Sequence, residues 1–176
     1  MGFAGSWDSA SARLATLNSL YASVNDATKN PALSMLATLN QLDAIDFESY
    51  QPAGAAQYPE NDWFAYGLKA TAALIKAQVG VEAVALDVGG YDTHADQGNF
   101  GGEYFYSILR SLGDSLAAFM ADLNASNVNF TIVVMSEFGR TAAENGSRGT
   151  DHGHGNIMLA LGPGIAGGRV LTQWAG

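Results

Sequence analysis

The chain has 176 residues, 48% of them hydrophobic and 14% charged, which suits one globular core and excludes a disordered chain. Its formal net charge of −9, with no run of Lys or Arg, excludes a phosphate-backbone binder, since nucleic acid requires clustered cations. There is no cysteine, so disulfides and thiolate metal sites are excluded, and neither redox compartment is.

In chain order, Leu14, Leu17, Leu20 or Tyr21, and Val24 recur at helical spacing, with Ser6 or Asp8 as the cap. A second helix is expected from Asn30 as N-cap and Pro31 at the first helical position to about Ile45. Residues 46–61 carry Pro52, Gly54 and Pro59 and read as a loop. A third helix is expected over residues 62–78, packing through Trp63, Tyr66, Leu74 and Ile75 and ended by Gly80. The pattern then changes. Residues 81–88 form a short apolar run that reads as a mostly buried strand. After a polar loop over 89–102, residues 103–124 mark a helix face with Phe105, Ile108, Leu109, Leu112, Leu116, Phe119 and Leu123. Residues 130–136 are rich in β-branched side chains and read as a second buried strand. A long polar loop over 137–155 leads to a third strand at 157–161, stopped by Gly162-Pro163-Gly164, and Val170 with Leu171 start another. No apolar run is long enough to span a membrane, and the first residues lack a basic and an apolar leader segment.

Strand, long helical crossover and strand predict a right-handed parallel unit. The expected fold is therefore α/β, a single domain over 1–176 with a mostly helical part at 1–80 and a strand–helix–strand core at 81–176. Three or four strands make a thin sheet. An exposed sheet edge then predicts association with a second copy or with a missing N-terminal half.

In open parallel sheets, ligands bind at the carboxyl ends of the strands. Two polar loops fall there. One carries Asp92-Thr93-His94, whose carboxylate and imidazole, two residues apart in extended chain, face the same way. The other carries Ser136-Glu137-Phe138-Gly139-Arg140. A third cluster, Asp151-His152-Gly153-His154, precedes the third strand. All three histidines of the chain thus lie in these loops. A mixed nitrogen and oxygen set suits a divalent metal: zinc first, with manganese, iron or calcium as alternatives. The metal candidates are Asp92, His94, Glu137, Asp151, His152 and His154. Glu137 is the candidate general base and Arg140 the candidate clamp for a substrate anion. Plainer readings stand beside these: an Asx turn at Asp92 with a solvated His94, a glycine-rich loop with exposed histidines, and an ordinary Glu–Arg pair. Ser136, Thr93 and Thr141 are weaker nucleophile candidates, because no Gly-x-Ser-x-Gly elbow surrounds them. Asp87 reads as a support for a ligating histidine or as a partner of nearby backbone.

Together, Val-Gly-Gly-Tyr-Asp-Thr-His at 88–94, Ile-Val-Val-Met-Ser-Glu-Phe-Gly-Arg-Thr at 132–141 and Gly-Thr-Asp-His-Gly-His-Gly-Asn at 149–156 resemble the bacterial sulfatase-like family called domain of unknown function 1501. The helix with Trp63-Phe64-Ala65-Tyr66-Gly67 fits it too. That family is similar to the alkaline phosphatase superfamily. The resemblance implies a three-layer sulfatase-like fold with a mainly parallel sheet, here represented by its C-terminal half. It implies metal-dependent hydrolysis of phosphate or sulfate esters, on a small anionic ester or sugar-derived substrate. It also implies export by the twin-arginine route to the periplasm or beyond. Asp92 and His94 match one metal-binding segment of the superfamily, and His152 or His154 its late histidine. Phe138 stands where the superfamily commonly has a second histidine, and the superfamily's nucleophile belongs to an N-terminal half not found here. Those departures support the alternative, a non-catalytic exported module that keeps the fold and binds a partner.

Overall fold

The computed structural model describes residues 10–99 and 103–172. It contains four helices, α1 (Ala10–Ser23), α2 (Lys29–Asp43), α3 (Trp63–Lys76) and α4 (Tyr104–Ala125), and four short strands, β1 (Ile132–Val134), β2 (Gly139–Arg140), β3 (His152–Gly153) and β4 (Leu159–Leu161). The chain divides into two compact units. One comprises the chain up to Tyr50 together with Ala73–Val81, and the other Gln51–Ala72 together with the chain from Glu82 on.

In the first unit α1 and α2 pack against each other and Leu36 is fully buried. The expected caps Ser6 and Asp8 lie outside the described residues. At α2, Asn30 and Pro31 stand inside the helix rather than at its boundary, and Thr28 is the capping position. Asp26 Oδ1 accepts hydrogen bonds from Thr28 N at 2.8 Å and Thr28 Oγ1 at 2.6 Å, closing a turn just before the helix. This Asx turn takes the starting role that the sequence assigns to Asn30.

In the second unit the core is built by Ala65, Leu68 and Ala72 of α3 and by Leu116, Ala118, Phe119 and Leu123 of α4, with Phe130 edge-on to Phe119. The last three turns of the expected α4 face are therefore buried, whereas Leu109 is exposed. Asp62 starts α3: its Oδ1 accepts from Ala65 N at 3.0 Å, and its Oδ2 accepts from Ser111 Oγ of α4. Trp63 does not pack inward as expected. It is 88% exposed and meets only the edge of Tyr66 among the aromatic rings described.

Asp122 is the one charged residue among the fully buried side chains of α4. Its carboxylate accepts hydrogen bonds from Ala53 N at 2.7 Å and from Tyr58 Oη at 3.0 Å, so it ties the 51–62 loop to the helix. Removing it leaves a half-buried amide and phenol without this acceptor. Asp122→Ala is expected to lower stability by about 2–3 kcal/mol in denaturant unfolding. A change below about 0.5 kcal/mol would show that the loop finds other partners.

The three-layer parallel α/β fold is not what the chain forms. Residues 81–88 form no strand and pair with none of the described residues, and Val84 and Leu86 are exposed. No parallel strand–helix–strand unit is therefore made among the described residues. β1 pairs antiparallel with β4 in the register Ile132↔Leu161, Val133↔Ala160 and Val134↔Leu159. Inside that pair, β2 and β3 are also antiparallel, with Gly139 opposite Gly153 and Arg140 opposite His152. The two expected strands at 130–136 and 157–161 thus shrink to three residues each and become the arms of one nested hairpin. Val170 and Leu171 start no strand and are almost wholly exposed. The physical reason is that an apolar β-branched run predicts burial on both faces but not the direction of pairing. A long loop that folds back on itself brings the next run alongside in the antiparallel sense. No described helix is long and apolar enough to cross a membrane.

Candidate metal centre

The site arises where the nested hairpin meets the loop after residue 88. Its inner strands approach unusually closely. A Cβ on Gly139 would lie 2.6 Å from Gly153 O, and one on Gly153 would lie 2.7 Å from Thr141 N. Only glycine fits such backbone-to-backbone contact. Arg140 N donates to Gly155 O at 2.8 Å, Gly155 N to Arg140 O at 2.9 Å, and Thr141 N to Asp151 O at 2.8 Å, which fixes His152 opposite Arg140.

The 92–97 loop is stitched to the hairpin tip. Thr150 N donates to Thr93 O at 3.0 Å, Gln97 N to Arg148 O at 2.9 Å and Asp96 N to Ser147 O at 3.0 Å. Half-buried beneath, Gln97 Oε1 accepts from Thr93 Oγ1 at 2.9 Å and Thr150 Oγ1 at 3.0 Å. Asn145 Nδ2 donates to His94 O at 2.9 Å. These bonds carry Asp92 and His94 to His152, some sixty residues away in sequence.

Asp92, His94 and His152 each offer one donor atom within 4.8 Å of the others, a grouping that can hold a metal ion. Asp92 Oδ1 is 2.9 Å from His152 Nε2 and 3.1 Å from His94 Nε2. Donor atoms around a tetrahedral zinc stand about 3.3 Å apart, so a small adjustment would seat one. The side chains are about half exposed, which leaves the group open to an incoming ligand. The ion pairs among them add little to stability at that exposure.

The other sequence candidates fall in different places. Asp151 Oδ1 lies 2.9 Å from Nδ1 of His94, on the ring nitrogen facing away from Asp92. Arg140 donates through Nη1 to Asp92 Oδ1, through Nε to Thr150 Oγ1 at 3.0 Å and through Nη2 to Thr150 O. All three of its nitrogens are therefore engaged, one by Asp92 and two by Thr150. Glu137 and His154 are exposed and stand outside the donor group. Ser136 Oγ lies 2.6 Å from Phe138 O, Thr141 Oγ1 donates to Ala143 O at 3.0 Å, and Thr93 is buried against Gln97. Each of the three hydroxyls thus has a local partner. Asp87 is exposed in the unpaired segment.

Several contributors escape sequence reasoning. Phe138 stacks on the His152 ring at 4.1 Å with the planes 18° apart, and the Arg140 guanidinium sits 5.8 Å from the Phe138 centroid. Phe138 therefore sets the plane of a candidate ligand. Gln97 carries no motif that marks it, and Thr150 lies within the 149–156 motif without a role assigned to it. Asn145 does have a signal, since Asn145-Gly146 reads as a turn.

The electrostatics give a pH prediction. The hydrogen bond from His152, with that from Arg140 and the charges of both histidines, holds the Asp92 carboxyl below its ordinary value of 3.8. The hydrogen bond from His94, then that from Asn145, does the same for Asp151. A depressed folded value means that the contribution to stability is present above 3.8 and is lost as pH falls through the lower folded value. The side-chain contacts of Asp92 and Asp151 should therefore survive to below about pH 4 and open only below it, while the backbone bonds between loop and hairpin remain. Amide shifts of residues 91–96 and 139–155 followed by NMR during acidification check this. An opening centred above 3.8 in the metal-free protein would contradict it.

No curated protein and no solved structure matches the chain. The family model described as a protein of unknown function (DUF1501) matches residues 8–176, and the chain belongs to that family.

Proposed function

We propose that the chain binds a divalent metal, with zinc favoured, through Asp92, His94 and His152, and that this centre hydrolyses phosphate or sulfate esters. The observation that carries the metal reading is His94 itself. Its Nδ1 faces one carboxylate oxygen at 2.9 Å and its Nε2 another at 3.1 Å. A neutral imidazole has a single N–H and cannot donate to both. A cation shared between Nε2 and Asp92 would satisfy both oxygens, with Nδ1–H given to Asp151. Two imidazoles and one carboxylate converging on a solvent-open point are the donor set of a three-ligand zinc centre with one position left for substrate.

A divalent ion there would polarise an ester oxygen and acidify an attacking water. The chain's own residues supply orientation: Phe138 fixes the His152 plane, and Arg140 both anchors Thr150 and partly neutralises Asp92. Ester hydrolysis is further supported by the sequence resemblance to sulfatase-like proteins. The test is calorimetric titration of chelator-stripped protein with zinc and manganese, followed by turnover of aryl phosphate and aryl sulfate. One ion per chain and turnover that is lost to chelator and restored by metal are expected. A protein that binds neither ion overturns the metal reading.

The occupied hydroxyls of Ser136, Thr93 and Thr141 favour a second reading, a metal-binding module without turnover. Stoichiometric zinc with no hydrolysis of either ester would select it.

A further inference from the structure

A histidine that ligates a metal must present one nitrogen as a lone pair, and the partner of the other nitrogen decides which. In this site that partner is unusually well held. Asp151 Oδ1 sits 2.9 Å from His94 Nδ1 and accepts a second hydrogen bond from Asn145 Nδ2 at 2.9 Å. The same Asn145 Nδ2 also donates to the carbonyl of His94 at 2.9 Å, so one amide grips both partners of the pair.

Asn145 is itself locked by its turn. Its Oδ1 accepts from Ser147 N at 2.9 Å and Gly149 N at 3.1 Å, and its own N donates to Gly149 O at 2.8 Å. Asp151 is held along its backbone as well, through Thr141 N to Asp151 O at 2.8 Å and Asp151 N to Thr141 Oγ1 at 3.3 Å. The carboxylate therefore has a fixed place on the side of the His94 ring opposite Asp92 and His152. It does not belong to the converging donor group.

We infer that Asp151, braced by Asn145, is a positioning residue: it keeps the His94 proton on Nδ1 and turns Nε2 toward the cation. This inference rests on the metal reading above. It gives Asp151 a role outside the ligand set, and it gives Asn145 a role in the site.

Two measurements decide it. In the first, NMR of zinc-loaded protein with isotope-labelled histidine reads the His94 ring directly. A proton on Nδ1 with zinc on Nε2 is expected, and zinc on Nδ1 overturns the inference. In the second, zinc affinity is compared among variants. Asp151→Ala is expected to weaken zinc binding by about 10–100-fold and to lose the slowly exchanging Nδ1–H signal. Asp151→Asn, whose amide oxygen still accepts a hydrogen bond from Nδ1–H, should recover part of that loss, and Asn145→Ala should weaken binding by about tenfold. Asp151→Ala with unchanged affinity, or Asp151→Asn as damaging as Asp151→Ala, overturns the positioning role, the latter outcome being that of a direct ligand. Wild-type protein that binds no zinc overturns the metal reading first, and this inference with it. The loaded wild-type spectrum needs no substitution, so a variant that fails to fold leaves the test intact.

Discussion

Replacing His94 with alanine is expected to weaken zinc binding by more than about 100-fold, because it removes one of three donors rather than a supporting contact. His152→Ala should do the same and should also free the Phe138 ring that stacks on it at 4.1 Å. His154→Ala is the internal control. That residue lies two positions from His152 and is as exposed, yet stands outside the donor group, so its loss should leave affinity unchanged. Calorimetric titration of the three variants separates a defined centre from diffuse binding by exposed histidines. Equal, partial losses in all three would show that no particular pair of imidazoles is used.

The second large effect is expected from Gly149→Ala. A Cβ at Gly149 would lie 2.5 Å from the carbonyl oxygens of both Thr93 and His94. These are backbone atoms, so no side-chain rotation relieves the clash. The 92–97 loop must instead retreat from the hairpin tip, breaking the Thr150 N to Thr93 O bond at 3.0 Å. Overpacking of this kind costs about 1–3 kcal/mol, and here it would also separate His94 from His152. Lower thermal stability and weakened zinc binding should therefore appear together in melting and titration experiments. Gly113→Ala is the counterpart. It lies within α4, where an added Cβ meets nothing within 4 Å, and it should stabilise the helix by about 0.5–1 kcal/mol. If Gly149→Ala melts and binds like wild type, the loop and hairpin are not held as closely as described.

How far the molecule was legible in advance differs by element. The long helix over 103–124 is readable because seven apolar residues repeat on one face, and α4 follows within a residue at each end. Which part of that face is buried is not readable. Leu116, Phe119 and Leu123 are buried, with Phe130 edge-on to Phe119, while Leu109 is exposed. For residues 81–88, composition argues for a buried strand. A strand, however, exists only where another stretch of backbone accepts its hydrogen bonds, and none of the described residues does so.

The candidate site shows the same division more sharply. Sequence alone determined the chemistry on offer: three histidines, all in polar loops, each with a carboxylate within three residues, and no thiolate to compete. It also placed Asp92 beside His94, since a two-residue spacing is a local matter. Tertiary structure decided the rest. It chose His152 over His154, placed Asp151 on the far nitrogen of His94, left Glu137 outside and turned Arg140 toward Asp92 and Thr150. Those choices depend on the register of an antiparallel hairpin and on the close approach that Gly139, Gly149 and Gly153 permit. Both are pairings between distant segments, which local spacing does not encode. Their geometry is settled only when backbone donors and acceptors far apart in the chain satisfy one another.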